Sequence, residues 1–423
     1  MRQSITPTKK VLGEVRVPGE RVPAECALLL AAIAEGESRV RFVPPSALRV
    51  AACLRAFGVE IEQERDGLVV RGKGLTGLSP ADDIVDAQGW GASGLLLLAI
   101  LAGQRFVSRV RLGEESDWAH GVLSLLEAMG MGAQRETGSV YAIGKAQPSA
   151  AEHALLDIGA DEKLAVLVAS LYCEGVTQMR ESSKNRNRME RFLRQREVVV
   201  ERRRSGEEYV VSTQGGQVVQ PLDVDVAGDL NLAYPLMLPA LALKGSHVVI
   251  KGVAVRSGQR HFLELLRQIG GEFEMEDRGE ETCDLSVHPS ELKSTRVAGQ
   301  RAENVMEQVA LLAALATRVP GEIVIRDVQT LREGAFDRVQ HLFESLRALQ
   351  VRIGEFPEGI VIKGGFPVMG GQLDARGDAD LARAFALLGL WAEGEVVVDN
   401  AQGIEDVHPE FFTALAALKE KRR

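Results

Sequence analysis

The chain has little that would tie it to a metal, a membrane or an oxidising compartment. Its four cysteines (Cys26, Cys53, Cys173, Cys283) lie far apart, with none of the close spacing of a metal site. They read as reduced residues of a cytoplasmic protein. No apolar run reaches the roughly 20 residues that span a bilayer. The opening MRQSITPTKK has no apolar secretory segment behind its charges. Aromatics are few, 13 Phe, 4 Tyr and 3 Trp, so the core is expected to be aliphatic. A net charge of −9 argues against nucleic acid or an anionic membrane as the main partner. One basic stretch, Arg186 to Arg204, reads as a solvated helix and charged hairpin, because no interleaved aromatics accompany it. Gly-rich pieces such as GGFPVMGG lack the Lys-Ser/Thr of a phosphate loop, and no cofactor or metal is expected.

What is present is repetition. An apolar helix-like stretch ending in Gly and followed by a Val/Ile-rich strand occurs six times, at Gly36, Gly103, Gly175, Gly245, Gly321 and Gly394. The gaps run from 67 to 76 residues. LLLAAIAEGESRVRFV, LLLLAILAGQRFVSRV and FALLGLWAEGEVVVDN show the pattern. A second helix with apolar residues three and four apart follows each, as in ALRVAACLRAFG and QRHFLELLRQIGG. A strand pair around a charged turn usually comes next, as in RIGEFPEGIVIKG. The first helices are apolar nearly all round and are expected to be buried on every side. A fixed period of this kind means one supersecondary unit repeated in space. At 423 residues, two domains are expected.

Six βαβαββ-type units, with VPGE at 17–20 and VAGD at 226–229, resemble the enolpyruvyl transferase family, on the EPSP synthase branch. The resemblance implies an α/β fold (α+β by some schemes), a two-domain inside-out α/β barrel with three repeats per domain. One domain is placed at 19–226 and the other at 1–18 plus 227–423, with a hinge near 18–19 and 226–228. It also implies a monomer and an anionic small molecule held between the domains, where helix N-termini favour negative charge. The UDP-sugar branch of the family uses a loop cysteine, and the loop from Leu112 to Gly121 has none.

The family's site motifs are heavily replaced. Its lysine before the first helix falls on Arg21, and its arginines fall on Cys26, Leu95 and His120. Further family cations fall on Gly334, Asp380 and Asp406. Unit charges in contact interact by about 4 kcal/mol at an effective dielectric of 20. Helix ends offset only roughly 0.3–1 kcal/mol each. Two phosphate-bearing substrates are therefore not expected to bind in the family's manner. The polar residues that remain for a ligand are Arg21, Lys163, Arg186, Glu307, Asp337 and Arg338.

By the resemblance, Glu307 falls on the family's catalytic aspartate. It reads equally as a carboxylate stabilised by a helix start. Asp337 and Arg338 read either as ligand contacts or as a cap and ion pair at a helix start. Lys163 reads either as a ligand contact or as a local pair with Asp161 and Glu162. Trp90 and Trp118 read first as core residues. Three functions follow as expectations: a diverged transferase with an altered substrate, an inactive relative serving as scaffold or regulatory partner, or an atypical EPSP synthase.

Overall fold

A computed structural model describes residues 1–112, 117–144, 148–149, 152–154, 160–182, 190–279 and 281–419. It falls into two compact units, Met1–Glu20 with Ala227–Arg423, and Arg21–Val226. The first is called unit 1 below and the second unit 2.

The helices of unit 2 are α1 (Arg21–Ala32), α2 (Pro45–Ala56), α3 (Ala92–Ala102), α4 (Asp117–Ala128), α5 (Ala160–Ser170) and α6 (Glu190–Arg194). Those of unit 1 are α7 (Leu230–Ala242), α8 (His261–Gln268), α9 (Gln300–Asn304), α10 (Val309–Ala316), α11 (Arg338–Ala348), α12 (Ala379–Trp391) and α13 (Phe411–Leu418). The Leu/Ala-rich helices α1, α3, α7, α10 and α12 are buried nearly all round. Leu and Ala favour helix intrinsically, and each buried Leu contributes roughly 1.5–3 kcal/mol. In unit 2, α3 packs on α1 and α5; in unit 1, α7, α10 and α12 pack on one another. Each unit has one aliphatic core around its helices.

Sheets cover these helices. Among the described residues, five have four strands and one has three, and the four-stranded ones share one plan. A short strand runs parallel to the strand after the first helix, whose other side pairs antiparallel with a hairpin. The chain's crossings complete two sheets. Val224–Asp225 pairs with Glu37–Arg41 of the first repeat, and Leu12–Val15 pairs with His247–Ala254 of the fourth. In the repeat, the hairpin's last residue is a glycine against the end of the first helix. A Cβ at Gly72 would lie 2.2 Å from the Ala34 carbonyl oxygen, and one at Gly364 2.0 Å from that of Ala316.

Among its described residues, the basic stretch contributes the five-residue α6, the buried Arg196 and the largely exposed strand Val200–Ser205 of a hairpin. Cys26, Cys173 and Cys283 are buried and Cys53 partly so; all four are free thiols. Among the described residues, no helix is long and apolar enough to cross a membrane.

Candidate functional site

In unit 1 the starts of three buried helices each carry a carboxylate of the protein itself. Asp229 caps α7, its Oδ1 accepting from the Asn231 N–H at 2.8 Å. Asp378 caps α12, its Oδ1 accepting from the N–H groups of Asp380 (2.9 Å) and Leu381 (3.0 Å). Glu307 lies in the 3-10 turn Met306–Gln308 just before α10. Its Oε2 accepts from Asn231 Nδ2 at 3.2 Å, and Gln308 Nε2 donates to Asn231 Oδ1 at 3.0 Å. A helix start offers unpaired N–H groups and a positive dipole end, which side-chain carboxylates satisfy. At the far ends of α7, α10 and α12, Lys9, Lys244, Lys293 and Arg318 surround a surface cavity and complement the negative helix ends.

The arginines near those starts are engaged as well. Arg338 is bound to Asp378 Oδ2. Arg332 Nη1 bridges Asp337 at 2.8 Å and Glu355 at 2.7 Å. Arg383 Nη2 donates to Asp380 at 2.5 Å, and Arg256 Nη1 to Glu20 at 2.6 Å. A small apolar-floored pocket at the starts of α10, α11 and α12 is rimmed by Glu307, Arg338, Asp378 and Asp380. An anion entering it meets three carboxylates and one arginine that is already paired.

Burial raises the Glu20 carboxyl, against the pull of Arg256, and leaves its Oε2 without a partner. Asp229 is raised by burial too. For Asp337 burial also opposes ionisation, but hydrogen bonds from the Gln340 N–H and Arg332 outweigh it and hold the group low. Arg383 and His408 add two buried polar atoms without partners, Nη1 and Nδ1 respectively.

Unit 2 repeats the theme. Lys163, on α5, is 1% exposed and donates to Glu181 Oε2 and Glu190 Oε1, each at 2.6 Å. Those two carboxylates are buried beside it, and Arg202 Nε donates to the other oxygen of Glu181 at 2.7 Å. Glu25 on α1 is buried, with Oε2 accepting from the Ser93 hydroxyl near the start of α3 at 2.5 Å. Burial raises that carboxyl. Arg21 is exposed at the first residue of α1 and donates from Nη1 to the Gly89 carbonyl at 3.2 Å.

The geometry therefore separates the candidates. Glu307 and Arg338 share a pocket rim in unit 1. Asp337 caps α11 through the Gln340 N–H at 2.8 Å and turns to Arg332, while Arg338 goes to Asp378. Arg21 and Lys163 lie in unit 2, where Lys163 pairs with Glu181 and Glu190 in place of its sequence neighbours Asp161 and Glu162. Arg186 and the side chain of Trp118 lie outside the described residues. Trp90 is 6% exposed, a core residue. Among the described residues no group of three or more His, Cys, Asp or Glu is placed to hold a metal.

Comparison with known proteins adds the family. The sequence model described as EPSP synthase (3-phosphoshikimate 1-carboxyvinyltransferase) matches residues 5–415. The chain belongs to the EPSP synthase family. A 3-phosphoshikimate 1-carboxyvinyltransferase of Shouchella clausii is 32% identical over 419 residues, covering 96% of each chain. That of Geobacter metallireducens is 30% identical over 424 residues, covering 97% of this chain and 98% of its own. The fold matches two structures of EPSP synthase from Acinetobacter baumannii, each at 24% identity. One has a TM-score of 0.80 and covers 99% of this chain and 98% of its own; the other has 0.81 and covers both in full. The two-domain α/β architecture expected from the repeats is thus the EPSP synthase fold.

Within this EPSP synthase family member, motif reading passed over residues that neutralise the candidates: Glu181 and Glu190 beside Lys163, and Arg332 beside Asp337. One more was legible in the repeats. Arg196 ends the second helix of the third repeat, where other repeats place Phe57, Met129, Ile269 and Leu349 in the core. Arg196 is 1% exposed and donates to the carbonyls of Phe192 (3.1 Å) and Ala27 (3.3 Å). It has no carboxylate partner among the described residues, and its Nε is unpartnered. Burial lowers its pKa to about 10. A buried unpaired charge costs several kcal/mol, and apolar replacement commonly restores it. Arg196→Met is expected to raise stability by about 1–3 kcal/mol, measured by urea denaturation; a loss of stability would show that the guanidinium is needed where it sits.

Proposed function

We propose that this EPSP synthase family member has given up transfer of the enolpyruvyl group from phosphoenolpyruvate to shikimate 3-phosphate, and uses its fold for a different ligand. The observation that carries the reading is that two of its remaining candidate cations, Lys163 and Arg338, are already neutralised from within. Lys163 is closed by Glu181 and Glu190, and Arg338 by Asp378. An anionic substrate has to displace a carboxylate to reach either one.

For a transfer with an altered substrate, Glu307 is the group we assign to proton movement. It is exposed at the start of α10, held by a single side-chain bond from Asn231, and has free oxygen valence for a ligand. A second reading, a non-catalytic scaffold, is favoured by the internal capping of α7 by Asp229 and of α12 by Asp378, which occupies those helix starts with the protein's own carboxylates.

The test is complementation of a bacterial strain that lacks EPSP synthase and needs aromatic amino acids. The Shouchella clausii relative is expected to restore growth and this chain is not. Restored growth from this chain would overturn the proposal and return it to the reaction that its relatives' names print.

A further inference from the structure

The fourth repeat carries a pair of imidazoles that the candidate site does not use. In its sheet, His247 on the strand His247–Ala254 lies directly across from His288 on the strand Thr282–His288, in continuation of the register Val248 to Val287. Side chains opposite one another on adjacent strands point to the same face. The two rings stack with centroids 4.8 Å apart and planes 13° apart. Both Nε2 atoms are turned to one point, the Ser286 hydroxyl, at 3.0 Å from His247 and 3.4 Å from His288. One hydroxyl proton serves only one of them, so the other imidazole must present N–H to the oxygen. His247 is exposed and His288 partly so.

Imidazole nitrogen is the preferred neutral ligand for Zn²⁺, Cu²⁺ and Ni²⁺. We infer that His247 and His288 form a two-imidazole surface site for a borderline divalent transition metal, with water in the remaining positions. The ion takes the place between the nitrogens that the Ser286 proton now holds. Rotation of one exposed ring about its Cβ–Cγ bond brings both lone pairs onto it. The two ligand strands are paired antiparallel next to the histidines, from Val248–Val287 to Ile250–Leu285, so the backbone there is held. The site is independent of the proposed function.

Cu²⁺ titrated into untagged, metal-stripped protein and followed by electron paramagnetic resonance is expected to give one tight site per chain with two-nitrogen splitting. Zn²⁺ followed by calorimetry is expected to compete for it. His247→Ala and His288→Ala should each weaken binding at least tenfold, and Ser286→Ala should leave it intact. A wild-type spectrum without two-nitrogen splitting would overturn the inference regardless of how the variants fold. So would equal affinity in the wild type and in the double variant His247→Ala, His288→Ala.

Discussion

Lys163→Met is expected to destabilise the protein by about 3–5 kcal/mol, the usual consequence of removing one member of a buried ion cluster. The mechanism is desolvation. Lys163, Glu181 and Glu190 are each almost wholly out of water, and the ammonium supplies the positive charge between the two carboxylates. Arg202 Nε donates to the oxygen of Glu181 that Lys163 does not take, so its help to the pair is partial. Methionine fills the space of the lysine stem but leaves Glu181 and Glu190 facing each other. Adding Glu181→Gln and Glu190→Gln is expected to recover most of the loss, since amides can be buried without a counter-ion. Urea denaturation of the single and triple variants checks both statements. A Lys163→Met protein as stable as wild type would mean that the cluster contributes nothing, and the internal-neutralisation reading of unit 2 would lose its support.

The second large effect is a pH dependence centred on His408. This ring is 1% exposed, stacks edge-on against Phe411 at 5.8 Å, and has no partner at Nδ1. Burial, with a smaller push from the Arg383 guanidinium, lowers its pKa from 6.5 to about 4. Between those values the unfolded chain binds a proton that the folded one refuses, so stability falls as pH drops from 6.5 toward 4. One pKa unit corresponds to about 1.4 kcal/mol, which makes the full loss on the order of 3 kcal/mol. Glu20, Glu25 and Asp229 act the other way, because burial raises their carboxyls. Their ionisation in the folded state is disfavoured, so their contribution is largest at acid pH and lost as pH rises through their folded values. The difference between wild type and His408→Leu isolates the imidazole. That difference should change by roughly 3 kcal/mol between pH 7 and pH 4; a constant difference would show that folding does not lower the affinity of His408 for a proton.

The architecture was open to reading because its signal is local and repeated. Apolar helices such as LLLLAILA and the glycines that end them carry the same physical demand six times, burial on all sides and then a strand. The EPSP synthase fold follows from that repetition. The candidate site was only half legible. By the resemblance, Cys26, His120 and Asp380 stand where family cations are expected, and that could be read residue by residue. Where the surviving cations point could not, since the partners of Lys163 are 18 and 27 residues away in the chain. Its neighbours Asp161 and Glu162 are closer in sequence, but position along the chain does not decide which carboxylates share a buried space. Arg338 shows the same limit. Its sequence neighbour Asp337 caps α11 and takes Arg332, and the Arg338 partner Asp378 comes from the start of another helix. Arg196 is the contrary case: superposing the repeats sets it against Phe57, Met129, Ile269 and Leu349 and marks a buried charge from sequence alone.

The measurement that tests the central claim most directly is phosphate release from shikimate 3-phosphate and phosphoenolpyruvate by purified protein, beside the Shouchella clausii relative under the same conditions. Internal neutralisation of Lys163 and Arg338 predicts no release above background from this chain, and no shift in its melting temperature with either compound. Turnover comparable to the relative would contradict the account, because it would mean that both cations leave their carboxylates for the substrates.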